Sequence, residues 1–206
     1  METPEPLIAV TRSNKQSAAG ALRVQQGTVG ISRKQGMAEL TSDFTRSVEI
    51  QIVNNSENQN LSCPAVYLYS GFTATSPTPI IQPGHKGNAV FVRTSRTARG
   101  SVGVLTYGFG QTQISMLFSN PYDYHLYPMV SALYIPPVPE LTDESLYEKM
   151  YYELSQSEHF AKAELGTGSA KISVTGGNLV ISATIKKMET SLIDVVIRDV
   201  YQPSKL

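Results

Sequence analysis

The chain has no tryptophan and a single cysteine, Cys63. One thiol cannot close an internal disulfide or supply a CxxC metal site, so neither a disulfide framework nor a zinc ribbon underlies the fold. Charge of one sign is also missing: 17 basic and 17 acidic side chains give a formal net charge of zero. A general nucleic-acid binder needs a basic surplus to displace counterions, which sets that partner class aside. No stretch approaches the roughly 20 continuous apolar residues of a membrane-spanning helix. Any membrane contact must then come from the surface or from a refolding segment. The opening residues, METPEPLIAVTRSNK, lack the charged-then-apolar pattern of a signal peptide. The expectation is a chain that is mature or tagged as given, or one that stays inside the cell.

Catalytic signatures are missing too. The histidines, His85, His125 and His159, stand far apart and in no ligand spacing. There is no GxSxG elbow, no GxxxxGK[ST] phosphate loop and no HExxH pair. Gly166-Thr167-Gly168-Ser169-Ala170-Lys171 resembles a phosphate loop only loosely and leads into a strand pattern. The chain is not expected to be an enzyme, and no cofactor or metal is expected. Asn54-Asn55-Ser56 and Asn60-Leu61-Ser62 fit the glycosylation acceptor pattern, relevant only on a secretory route.

What is present is a 206-residue chain, 41% hydrophobic, long enough to bury the core of one domain. Residues 1–45 are polar and broken by Gly20, Gly27, Gly30 and Gly36, and each such glycine costs a helix about 1 kcal/mol. Met37, Leu40 and Phe44 nevertheless allow one or two helical turns before Arg46. Residues 46–206 read as short strands with regular turn signals. Val48 to Val53 alternates as a half-buried strand should, and Asn54-Asn55 follows as a turn. Further strands are predicted at Ala65–Tyr69, Ala89–Val92, Ser101–Tyr107, Gln113–Phe118, Lys171–Val174, Leu179–Ile185 and Leu192–Val200. Gly176-Gly177 tolerates the positive φ of a tight hairpin. The pattern predicts a mainly β sandwich or barrel.

Thr142 to Ser155 is the exception. A capping threonine, then Asp143 and Glu144 in the first turn, open a helix whose inward stripe is Leu146, Met150 and Leu154. Tyr147 and Tyr151 share a neighbouring face, with Tyr152 beside them. These belong to a cluster: of 11 tyrosines, Tyr122, Tyr124, Tyr127, Tyr134, Tyr147, Tyr151 and Tyr152 fall within one stretch. Electron-rich ring faces are the natural cage for a quaternary ammonium, which has no proton to donate. Ordinary amphipathic packing, ring inward and hydroxyl outward, is the competing reading.

Phe118-Ser119-Asn120-Pro121-Tyr122-Asp123-Tyr124-His125-Leu126-Tyr127 resembles the actinoporin segment F-S-x-P-Y-D-Y-N-W-Y. Leu146-Tyr147-Glu148 and Met150-Tyr151-Tyr152-Glu153-Leu154 are similar to that family's M-Y-E-E-L-Y-Y-N-L helix, and Gly100-Ser101-Val102-Gly103-Val104-Leu105 to its G-A-V-G-V-L strand. The likeness runs from about Arg46 to Lys187. It implies an actinoporin-like β-sandwich flanked by one or two short helices, a fold shared with fungal fruit-body lectins. It further implies a pore-forming cytolysin that binds the phosphocholine headgroups of sphingomyelin or phosphatidylcholine. Such a protein is a monomer or weak oligomer in solution, becomes a homo-oligomer on the membrane, and opens a cation-permeable pore with an N-terminal helix.

Carried over residue by residue, the family's headgroup pocket falls on Ser70, Val102, Ser119, Pro121, Tyr127, Tyr147, Tyr151 and Tyr152. Tyrosine rings would hold the ammonium, and hydroxyls the phosphate. The family's tryptophans are replaced by Leu126, Val130 and Ser131, which leaves Leu126, Met129 and Val130 as the expected membrane-contact loop. Its basic stretch is replaced by Pro136-Pro137-Val138-Pro139-Glu140, and the chain continues past Lys187 beyond the family's usual end. The N-terminal segment is expected to insert, or else to be a strand-like or unstructured tail. The alternative function is a non-lytic lipid- or glycan-binding module of lectin type. The expected location is secreted and at the target-cell membrane, with the cytoplasm as alternative.

Overall fold

In the computed structural model, residues 45–200 are described. The candidate inserting segment and the helical turns expected from Met37, Leu40 and Phe44 lie outside the described residues. The strands are β1 (Ser47–Asn55), β2 (Leu61–Ser70), β3 (Phe72–Thr75), β4 (Lys86–Val92), β5 (Ser101–Phe109), β6 (Thr112–Asn120), β7 (Met129–Tyr134), β8 (Phe160–Leu165), β9 (Ser169–Gly176), β10 (Leu179–Lys186) and β11 (Thr190–Asp199). One helical segment, α1 (Glu144–Glu148), runs on into a π-helical turn, Lys149–Glu153.

The strands form two sheets, one ordered β3-β4-β1-β11-β10-β9 and the other β2-β5-β6-β7-β8. Period-2 alternation sends Ile50, Ile52, Phe91, Ile181 and Val195 from the first sheet to meet Leu105, Tyr107, Ile114 and Phe118 from the second. Across this interface the Phe91 and Phe118 rings stack with centroids 4.4 Å apart. Fully burying each such side chain stabilises the fold by about 1.5–3 kcal/mol. The fold is a mainly β sandwich, as the strand pattern predicts.

The five-stranded sheet has a second buried face. Val102, Val104, Leu117, Val130, Ala132 and Tyr134 point outward from β5, β6 and β7, and Leu146, Tyr147 and Met150 of the helical segment cover them. This double burial makes β5, β6 and β7 continuously apolar rather than alternating. It also corrects two expectations. Met129 is fully buried in the sandwich core and Val130 is 1% exposed beneath the helix. Both open β7, whose pleat sends them to opposite cores, so of the expected membrane-contact loop only Leu126, 70% exposed, faces outward.

The helix differs from its sequence pattern at both ends. Asp143, not Thr142, is the cap: its Oδ1 accepts from Leu146 N at 3.1 Å. Thr142 Oγ1 is instead 2.6 Å from Thr106 Oγ1, tying the cap to β5. Regular helix ends at Glu148, and Leu154 N donates to Lys149 O at 2.9 Å, an i→i+5 closure. The expected strands form, and β3, β7 and β8 are added.

Thr190–Asp199, beyond Lys187, is structural. β11 lies between β1, to which it is parallel, and β10, to which it is antiparallel. Ile193, Val195 and Ile197 are buried in the main core. Asn54, the first glycosylation acceptor, is fully buried, its Nδ2 donating to Gln59 O at 2.8 Å and Ile81 O at 2.9 Å. The loose phosphate-loop match is a turn closed by Lys187, whose N donates to Gly168 O at 3.0 Å and whose Nζ donates to Gly166 O.

Candidate functional site

Register builds the floor of a cavity. Ser70 pairs with Val102, Val102 with Ser119, and Ser119 with Val130, so one row crosses β2, β5, β6 and β7 on the outer face. The helical segment packs on this face, with Leu146, Tyr147 and Met150 against Val102, Leu117 and Val130. Tyr147, on α1, is 4% exposed. Beyond it the π-turn matters: because an i→i+5 turn holds more residues than an α-turn, Tyr151 and Tyr152 both come round to the side of Tyr147. The ring centroids are 5.5 Å apart for Tyr147 and Tyr151, and 4.7 Å for Tyr151 and Tyr152.

The third wall is the β6–β7 connection, Pro121 to Pro128. It is pinned by its own turn, with His125 N donating to Asp123 Oδ1 at 2.8 Å and Tyr127 N to Asp123 O at 3.1 Å. Behind it, Tyr124 lies under two cations, Arg46 at 4.1 Å and Lys187 at 3.9 Å from its centroid. Its hydroxyl donates to Asn120 Oδ1 at 2.6 Å, and Arg46 Nε donates to Tyr122 O at 2.9 Å. The wall is thus tied to the start of β1 and to the β10–β11 turn.

The result is an open cavity of about 540 Å³. Ser70, Val102, Ser119 and Pro121 line its floor, and Tyr127, Tyr147, Tyr151 and Tyr152 its walls. The structure therefore brings all of the pocket residues expected from the resemblance into one cavity, together with Leu126 of the loop. Met129 and Val130 do not line it. Tyr69, Ala98, Arg99, Gly100, Tyr122 and Asp123 also line it and were not among the expected site residues. Tyr69, 56% exposed, stacks on Tyr147 with centroids 5.1 Å apart and planes 14° off parallel. Its only signal is its place beside Ser70 at the end of β2. Arg99 lies in the β4–β5 loop, where no periodicity marks it.

Electrostatics keep the rings neutral. Burial pushes the Tyr147 hydroxyl well above the ordinary phenol value, with the neighbouring Tyr152 and Tyr151 adding to it. Burial also raises Tyr151, partly offset by the Ser119 hydroxyl beside it. Neutral phenols donate hydrogen bonds to an anion and present π-faces to a cation, where phenolates would repel the anion. Ser70 is already engaged, its Oγ donating to Gly100 O at 2.6 Å. The helix base is fixed by Lys149 Nζ, 2.7 Å from Glu140 Oε1, and Lys162 Nζ donates to Tyr151 O at 3.0 Å. Among the described residues, no group of His, Cys, Asp and Glu is placed to hold a metal ion, and no helix is long and apolar enough to cross a membrane.

The chain is similar to known proteins in sequence and in fold. Hydra actinoporin-like toxin 3 of Hydra vulgaris is 37% identical over 97 residues, 47% of this chain and 60% of that toxin. Cytolysin tenebrosin-B of Actinia tenebrosa is 29% identical over 148 residues, 70% of this chain and 68% of the relative. The chain thus spans 60% and 68% of the length of these relatives. The crystal structure of the lipid binding protein Nakanori matches the fold with a TM-score of 0.58 at 11% identity, over 80% of this chain and 77% of Nakanori. The family model described as sea anemone cytotoxic protein matches residues 19–187, which include every strand from β1 to β10. On that match, the chain belongs to the sea anemone cytotoxic protein family, the actinoporins.

Proposed function

We propose that this chain binds the phosphocholine headgroups of sphingomyelin and phosphatidylcholine, oligomerises on the bilayer and opens a cation-permeable pore through residues 1–45. The observation that carries the reading is the convergence of Ser70, Val102, Ser119, Pro121, Tyr127, Tyr147, Tyr151 and Tyr152 on one cavity. The cavity's chemistry matches a zwitterion, since stacked ring faces attract a quaternary ammonium and neutral hydroxyls donate to phosphate oxygens. Leu126 meets the interface with the exposed rim tyrosines Tyr69, Tyr122, Tyr127 and Tyr152, which share the interfacial preference of the missing tryptophans. In this reading the protein is secreted, reaches its target as a monomer or weak oligomer, and acts at the target-cell membrane. Membership of a cytotoxic family speaks against the non-lytic, glycan-reading alternative and agrees with the absence of catalytic motifs.

Sedimentation with liposomes tests the binding step. The wild-type chain should pellet with phosphatidylcholine–sphingomyelin vesicles, and Tyr151→Ala should lose about three- to tenfold in affinity as one ring of the cage disappears. Equal pelleting by the two proteins would overturn the headgroup reading.

A further inference from the structure

The cavity contains one basic and one acidic lining residue, Arg99 and Asp123, and no ion pair joins them. Asp123 is occupied in the turn of its own loop. Arg99 makes no hydrogen bond or ion pair with the described residues, whereas Arg46 donates to Tyr122 O and Arg93 Nε donates to Thr45 Oγ1 at 3.3 Å; Arg96, in the same loop, does not line the cavity. Its backbone, by contrast, is tightly placed. The next residue, Gly100, lies so close to the cavity floor that a Cβ there would fall 2.0 Å from Asn120 O and 2.7 Å from Pro121 Cα. A fixed main chain therefore holds an uncommitted guanidinium at the cavity wall.

The floor needs such a donor. The Ser70 hydroxyl proton is committed to Gly100 O, so toward a phosphate this side chain offers only lone pairs. The remaining hydroxyls are neutral donors, and a phosphodiester carries a full negative charge. A guanidinium answers it with two parallel N–H donors and a matching charge.

We propose that Arg99 is the phosphate-pairing residue of the cavity and supplies its preference for phosphocholine over choline, a proposal that rests on the headgroup reading above. Arg99 takes the phosphate at the β4–β5 loop while the tyrosines take the ammonium across the cavity. The same guanidinium sets the headgroup's orientation, phosphate toward β5 and ammonium toward the helical segment.

Titration with free choline and free phosphocholine, followed by tyrosine fluorescence, separates the two halves of the claim. The wild-type chain should bind both ligands and bind phosphocholine more tightly. Arg99→Gln should lose about tenfold in phosphocholine affinity, as expected for one charge-assisted contact at an exposed wall, with choline affinity unchanged. Arg99→Lys should recover part of the loss, because it restores charge without the planar fork. Lys171→Gln, an equal charge change on the exposed face of β9, should behave as wild type. The proposal is overturned if Arg99→Gln keeps the phosphocholine advantage, or if choline and phosphocholine affinities fall together. If Tyr151→Ala weakens choline binding while Arg99→Gln changes nothing, the cage stands and the Arg99 assignment alone fails. If the wild-type chain binds neither ligand, the headgroup reading fails and this assignment goes with it.

Discussion

A methyl group at Gly100 would meet a carbonyl oxygen at 2.0 Å, and backbone cannot step aside as a side-chain tip can. Gly100→Ala should therefore destabilise the fold by about 1–3 kcal/mol, the usual range for overpacking, and displace Pro121 from the cavity floor. Urea denaturation read by tyrosine fluorescence gives the first quantity. Tyr151 separates ring from hydroxyl: Tyr151→Phe keeps the π-face and should hold choline within about twofold, while Tyr151→Ala should lose about three- to tenfold. Isothermal titration with choline measures both. The sequence and the resemblance named the lining residues Ser70, Ser119 and Tyr151, but not Tyr69 or Arg99. Tyr69 alternates outward on β2 like any exposed strand residue, and Arg99 sits in a loop, so neither carries a periodic signal. Their relevance arises only when register and loop packing bring them to the same opening.

At the level of elements, burial on two faces explains most of the differences between pattern and structure. Met129 to Tyr134 does not alternate because both of its faces are covered, and such a run at the end of a tyrosine-rich loop reads as an exposed apolar tip. Phe160 to Leu165, with its alanines, lysine and glutamate, has weak strand propensity and is specified by its pairing with β7. The helix was legible through the spacing of Leu146, Met150 and Leu154, but its π-turn was not, since nothing in that spacing marks an i→i+5 closure. Asp143→Ala should cost about 1 kcal/mol by removing the cap, detectable as a lowered melting temperature. Truncation after Lys187 should be far more damaging. Although the family match ends there, β11 holds β1 to β10 through the middle of the sheet. The truncated chain should lack the cooperative unfolding transition of the full chain. A melting curve like that of the full chain would contradict the central role of β11.

At the scale of the whole molecule, the two cores meet at the five-stranded sheet, and each contains a tyrosine that burial keeps neutral. Tyr107, whose hydroxyl donates to Thr78 O at 2.8 Å, is pushed up from 10.0 to about 12, and Tyr147 is raised as well. A folded-state value above the unfolded one means that the stabilisation is fully present below about pH 10 and is lost as pH rises toward 12. Alkaline unfolding followed by circular dichroism and tyrosinate absorbance should show the transition starting above pH 10, with both signals moving together. Tyr107→Phe removes the titrating hydroxyl and should shift the onset upward. Acid should leave this contribution untouched.

The most direct test of the central claim, that one aromatic cavity targets a pore-forming chain to phosphocholine membranes, is dye release from phosphatidylcholine–sphingomyelin liposomes. It compares the full chain, Tyr151→Ala and a chain lacking residues 1–36. Release by the full chain that is lost in both variants, with the shortened chain still bound to the liposomes, is the predicted result. Undiminished release by Tyr151→Ala, or no release by the full chain while it remains bound, would contradict it.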